Sequence, residues 1–118
     1  MIQSFRDLQI WQKSMQLAVA VYRLTKDFPR EEIYGLTSQI RRSAVSVPSN
    51  IAEGQGRSSL GEFKQFLGVA RGSNCELQTQ LEIAHVLGFG KAELVRDAEG
   101  LSQEVGKMIY AFLESLKS

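Results

Sequence analysis

The segment Leu36–Glu53 constrains the chain more than any other. Leu36, Ile40, Ala44, Val47 and Ile51 recur at steps of four, four, three and four, which puts all five on one face of a helix that must pack against something. A second ridge, Gln39, Arg42, Ser46, Asn50 and Glu53, is polar. A third, Arg41, Val45, Pro48 and Ala52, carries short side chains that let another helix come close. Pro48 removes one backbone hydrogen bond inside this period, so a bend rather than a stop is expected. Gly54 is expected to end the helix in the left-handed region.

The flanking segments have the same character. Helix 1 is expected over about 7–26, with one seam at Leu8, Trp11, Met15, Ala18 and Tyr22 and a second at Ile10, Leu17, Val21, Leu24 and Phe28. Ser4 or Asp7 can cap its start. Phe28-Pro29 closes it, and helix 2 follows over about 36–53. Gly54-Gln-Gly56 lacks the preceding strand and third glycine of a dinucleotide cradle and reads as a turn. Ser59 and Glu62 have capping-box spacing for a third helix over about 59–87. Its seam, Leu60, Phe63, Leu67, Ala70, Asn74, Leu77, Leu81 and Ala84, is interrupted by one amide expected to fix register. Gly61, Gly68 and Gly72 each cost this helix about 1 kcal/mol relative to Ala, so another helix is expected close to them. Gly88-Phe-Gly90 turns the chain into helix 4, about 91–116, with its seam at Leu94, Ala98, Leu101, Val105, Met108 and Phe112. Short connections favour antiparallel neighbours, so the expected fold is an all-α, up-down-up-down four-helix bundle forming one domain over 1–118.

At 118 residues the chain suits one core. No apolar run is long enough to cross a bilayer, and Arg6 and Asp7 stand where a signal peptide would be apolar, so a cytoplasmic location and no membrane partner are expected. The net charge of +1 conceals an asymmetry: residues 1–75 carry +4 and residues 76–118 carry −3. Such a division can orient nucleic acid or pair subunits head to tail.

Reactive groups are few. Cys75 and His85, the single Cys and the single His, lie nearly three turns apart on one helix. Glu82-Ile-Ala-His85 matches one half of a di-metal carboxylate motif, but no second His completes it. His85 is expected to be half-buried, and Trp11, Tyr22 and Tyr110 to belong to the core, with Tyr34 left open. No catalytic residue, metal or cofactor is assigned, and the chain is not expected to be an enzyme.

The run Ile40-Arg-Arg-Ser-Ala-Val-Ser-Val-Pro-Ser-Asn-Ile-Ala-Glu-Gly-Gln-Gly-Arg57, with Glu62-Phe63 and Gly72-Ser73 to Glu76-Leu77 beyond it, closely resembles the bacterial four-helix-bundle proteins encoded within intervening sequences of 23S rRNA genes. The resemblance covers nearly the whole chain. It implies a subunit that assembles into a ring, a homopentamer, similar to the accessory variability protein of diversity-generating retroelements, and it implies nucleic-acid binding. A helix apolar over so wide an arc either sits deep between its neighbours or turns its second seam to another subunit, and with this resemblance the seam through Ile10, Leu17, Val21 and Leu24 is assigned to the oligomer interface.

The candidate nucleic-acid contacts are Arg41, Arg42, Arg57, Lys64 and Arg71. Lys64 and Arg71 are one heptad apart on a ridge of helix 3, about 10 Å along its axis. Guanidinium forks suit phosphates, and a ring repeats each cation around a common surface. Two functions are consistent with this sequence. One is an oligomeric accessory protein that binds RNA or DNA through its backbone. The other is an oligomeric scaffold for a protein partner. Cations sharing an open face favour the first, and cations neutralised by Glu53, Glu62 or a neighbouring acidic helix favour the second.

Overall fold

The structure, a computed structural model, describes residues 4–117. A short 3-10 turn, Phe5–Asp7, leads into α1 (Gln9–Thr25); another, Arg30–Glu32, precedes α2 (Leu36–Gln55), α3 (Leu60–Leu87) and α4 (Ala92–Ser115). Helix α1 packs between α2 and α4, and α3 packs between the same two, so the four helices form a square with α1 and α3 on a diagonal. This is an all-α four-helix bundle. Its 45 Å long axis is close to the ~42 Å that the 28 residues of α3 span at 1.5 Å each.

Local chemistry sets the helix ends. Ser4 Oγ accepts from the Arg6 amide and Asp7 Oδ2 from the Ser4 amide, which caps the first 3-10 turn rather than α1 itself. Ser59 Oγ accepts from the Glu62 amide, and its hydroxyl lies 3.2 Å from Glu62 Oε1. Gly88, at φ 72°, ends α3 in the left-handed region, and the amides of Gly88 and Phe89 satisfy the terminal carbonyls of His85 and Ala84. Gly90 also has positive φ, at 76°, and a Cβ there would meet Leu24 Cδ1 at 2.7 Å, so this turn presses on the end of α1.

Helix α2 continues past Pro48 to Gln55. The Asn50 side-chain Nδ2 donates to the Ser46 carbonyl near the proline, and the Ser46 and Ser73 hydroxyls bond each other at 2.8 Å, linking α2 to α3. The expected end at Gly54 is corrected. Gly54 lies inside the helix without positive φ, and a Cβ there would sit 2.8 Å from Phe66 Cβ and 3.0 Å from Phe63 Cδ1. Its value is the close approach of α2 to α3, the most extensive helix pair in the fold.

The oligomer-interface assignment on α1 is also corrected. Leu17, Val21 and Leu24 are fully buried within the subunit, and Ile10 nearly so. The second seam is the bundle core. The first seam divides instead: Leu8 and Ala18 are buried, Trp11 is half-buried, and Met15 and Tyr22 are exposed. A helix in a square bundle has two neighbours and buries a wide arc, and only the diagonal direction decides which seam lies at its centre. In α4 the buried stripe runs through Val95, Ala98, Ser102, Val105 and Ile109, while Leu94, Leu101, Met108 and Phe112 flank it half-buried.

Asn74 has the register role expected of it. Its amide donates to the Ser102 carbonyl at 2.9 Å and its Oδ1 accepts from the Ser102 hydroxyl at 2.8 Å, tying α3 to α4 where both side chains are buried. The expectation for Gly61, Gly68 and Gly72 is not met inside the subunit: a Cβ at any of them would have open space within 4 Å.

Candidate functional site

The five candidate cations do not converge within the subunit. Arg57 pairs with Glu53 at 2.8 Å and Glu62 at 3.9 Å and lies over the Phe66 ring, so its charge is largely answered. Arg41 is half-buried between α2 and α1: its Nε donates to Thr25 Oγ1 at 2.8 Å and its guanidinium lies 4.7 Å from the Tyr22 ring centroid. Arg42, exposed one residue on, has no carboxylate partner among the described residues. Both arginines lie near the start of α2, beside α1. Lys64 and Arg71 lie one heptad apart on α3, and the Arg71 guanidinium lies over the Tyr110 ring of α4, 5.3 Å from its centroid. Arg41 with Arg42 and Lys64 with Arg71 therefore form two separate cationic sites within the subunit.

The site beside Arg71 is a groove of about 410 Å³ between α3 and α4. Arg71, Gln78, Gln103, Lys107 and Tyr110 line it, together with Cys75, and no carboxylate does. Gly106 and the buried Asn74 lie along its base; a Cβ at Gly106 would come within 3.2 Å of Asn74 Nδ2. The groove thus offers two cations, two carboxamides and an exposed phenol ring. Tyr110 and Tyr22 both differ from the core placement expected of them, being 52% and 43% exposed, because each stands on the flank of its helix rather than in the buried stripe. Lys107, Gln78 and Gln103 carried no distinguishing signal in the sequence, since each looks like ordinary helix surface until α3 and α4 are set side by side.

The other feature is apolar. Met15 and Val19 stand exposed on the outer side of α1, between two grooves. Toward α2, a groove of about 550 Å³ is lined by Trp11, Met15, Val19, Tyr22, Val45 and Pro48, with Arg23 and Lys26 at one end. Toward α4, a groove of about 850 Å³ carries Leu94 and Leu101 beside Arg23, Arg96, Asp97 and Glu104. Arg23 and Lys26 have no carboxylate partner among the described residues. On the diagonal helix, Val69, Gly72, Glu76, Thr79, Ile83 and Val86 recur at alternating steps of three and four, and all six are exposed. That is the spacing of a helix-packing seam, here directed at solvent.

Reactive side chains stay apart. His85 is exposed, against the half-buried placement expected, as are Glu82 and Cys75. Among the described residues no group of three His, Cys, Asp or Glu side chains could hold a metal, and no helix is long and apolar enough to cross a membrane.

A family profile described as 23S rRNA-intervening sequence protein matches residues 6–111. The chain belongs to that family. Among solved structures, this family member is similar to a protein of unknown function from the S23 ribosomal protein family of Bacteroides thetaiotaomicron, at 25% identity and TM-score 0.81, over 88% of this chain and 97% of that one. No curated protein matches it. The family assignment agrees with the resemblance carried by Ile40–Arg57, and the shared architecture agrees with the four helices described above.

Proposed function

We propose that this chain is a self-assembling helical scaffold, a homo-oligomer with no catalysis of its own, in which the outer side of α1 in one copy packs against the solvent-facing seam of α3 in the next. The observation that carries this reading is the exposed apolar side of α1 at Met15, Val19 and Tyr22, bordered by grooves. Contiguous exposed apolar surface marks interaction sites. The α3 seam is a suitable counterpart: Gly68 and Gly72 leave room for a close approach, Val69 and Ile83 supply apolar contact, and Glu76 and Glu82 offer charge to Arg23 and Lys26. Because the two surfaces differ, such contacts are heterologous, and a rotation between neighbours that closes on itself makes them a ring. Five subunits is the stoichiometry implied by the family resemblance. Light scattering on wild type and on Val19→Glu with Met15→Glu tests this. The expected result is an oligomer for wild type and a folded smaller species for the variant; a monomeric wild type at micromolar concentration overturns it.

A second reading, nucleic-acid binding by the assembled particle, is favoured by the carboxylate-free groove at Arg71, Lys107 and Tyr110, with Lys64 one heptad along the same ridge. Each subunit of an oligomer repeats these cations, so contacts that are weak singly act together. Affinity for RNA or DNA should then fall steeply with salt. Filter binding over a salt series decides it, and no retention at low salt removes this reading.

A further inference from the structure

We infer that the α3–α4 groove is a site for an unpaired nucleotide within a single strand, rather than for duplex backbone. The inference rests on the nucleic-acid reading and specifies what the groove can take. The fold brings Arg71 and Tyr110 together: Arg71 stands on α3, Tyr110 on α4, and the buried Asn74–Ser102 pair fixes the register between the two helices. A guanidinium and an aromatic ring side by side each offer a planar surface on which an unpaired base can stack. The guanidinium's edge N–H groups remain free for a phosphate.

Gly106 and the Asn74 carboxamide lie at the base of the groove. Gly106 has no side chain to fill it, and Gln78 and Gln103 both line it, so a base inserted there meets carboxamide donors and acceptors. A duplex keeps its base faces stacked inside the helix and could reach only the rim. The surrounding charge gives the strand a direction. Glu82 lies one turn beyond Gln78 on α3, and Glu99 lies one turn before Gln103 on α4; both are without ion pairs among the described residues. A phosphate is repelled at that end. At the other end Lys107, Arg71 and then Lys64 follow one another, so the backbone leaves along the α3 ridge toward Lys64.

The test is fluorescence anisotropy with labelled oligouridine and oligoadenosine of about twelve nucleotides, and with a duplex of equal length, over a salt series. The proteins are wild type, Tyr110→Ala, Tyr110→Phe, Arg71→Lys and Lys107→Ala. Each variant is first matched to wild type in mass by light scattering and in thermal unfolding, which the exposure of these side chains permits. Wild type should prefer the single strands. Tyr110→Ala should weaken single-strand binding by about 5- to 100-fold with little change in salt slope, and Tyr110→Phe should keep it, because stacking needs the ring and not the hydroxyl. Arg71→Lys should also weaken it, since an ammonium keeps the charge and loses the plane. Lys107→Ala should flatten the slope by about 0.7 on single strands. Binding by wild type that neither Tyr110→Ala nor Arg71→Lys alters overturns the groove assignment and leaves the nucleic-acid reading to another surface. Tighter binding of the duplex likewise overturns the unpaired-base site. Absence of binding to any probe at low salt overturns both.

Discussion

Replacing glycine by alanine should have opposite signs at two positions in the same bundle, Gly54 on α2 and Gly68 on α3. Each substitution gains about 0.5–1 kcal/mol of helix propensity, because Ala loses less conformational freedom than Gly on becoming helical. At Gly68 nothing lies within 4 Å of the added Cβ, so that gain stands alone and the subunit should be stabilised by about 0.5–1 kcal/mol. At Gly54 the added Cβ would lie 2.8 Å from Phe66 Cβ, about 0.7 Å inside the ~3.5 Å carbon–carbon contact. Phe66 Cβ is fixed to the α3 backbone and cannot rotate away, so α2 and α3 must separate. Overpacking of this kind costs roughly 1–3 kcal/mol, which outweighs the propensity gain and leaves a net loss of about 1–2 kcal/mol. The two variants should therefore differ by about 2 kcal/mol, or roughly 6–12 °C in Tm for a chain of this size. Thermal and urea unfolding followed by circular dichroism measures both, under conditions where the variants have equal mass by light scattering. A Gly68→Ala subunit less stable than wild type, or a Gly54→Ala subunit as stable as Gly68→Ala, refutes the assignment of Gly54 to helix–helix contact and of Gly68 to an open face. If α3 meets a second copy as proposed, Gly68→Ala should also loosen the oligomer while it stabilises the subunit.

Other substitutions follow from the same geometry. Asn74→Ala strips the buried Ser102 hydroxyl and carbonyl of their side-chain partner, and should cost about 1–3 kcal/mol in urea unfolding, whereas the paired change Asn74→Leu with Ser102→Ala should recover part of it. A charge at Leu17 or Val21 enters a fully closed core and should unfold the subunit, with loss of the helical circular-dichroism signal, instead of releasing folded monomers. Arg57→Ala breaks exposed ion pairs with Glu53 and Glu62, so unfolding stability should change by less than about 1 kcal/mol. Because that charge is already answered, the salt slope of any nucleic-acid binding should also stay unchanged.

The four helices, their approximate limits and the register role of Asn74 were legible in the residues, because each rests on short-range periodicity and on turn chemistry that acts within a few positions. Leu36, Ile40, Ala44, Val47 and Ile51 declare a packing face wherever the rest of the chain goes. What periodicity cannot supply is direction. Two apolar seams on α1 were visible, but which of them points along the diagonal of the bundle depends on where α2 and α4 stand, and the tertiary structure placed Leu17 and Val21 at the centre and Met15 and Val19 outside. The glycines show the same limit: Gly54, Gly61, Gly68 and Gly72 are alike in sequence, and only the distance to Phe66 separates a contact from an open face. Charge is the sharpest case. Arg41, Arg42, Arg57, Lys64 and Arg71 are cations from composition alone, yet whether a cation is free depends on what reaches it through space, and the fold gave Arg57 two carboxylates, Arg41 a hydroxyl and a ring, and Arg71 a tyrosine 39 positions away on another helix.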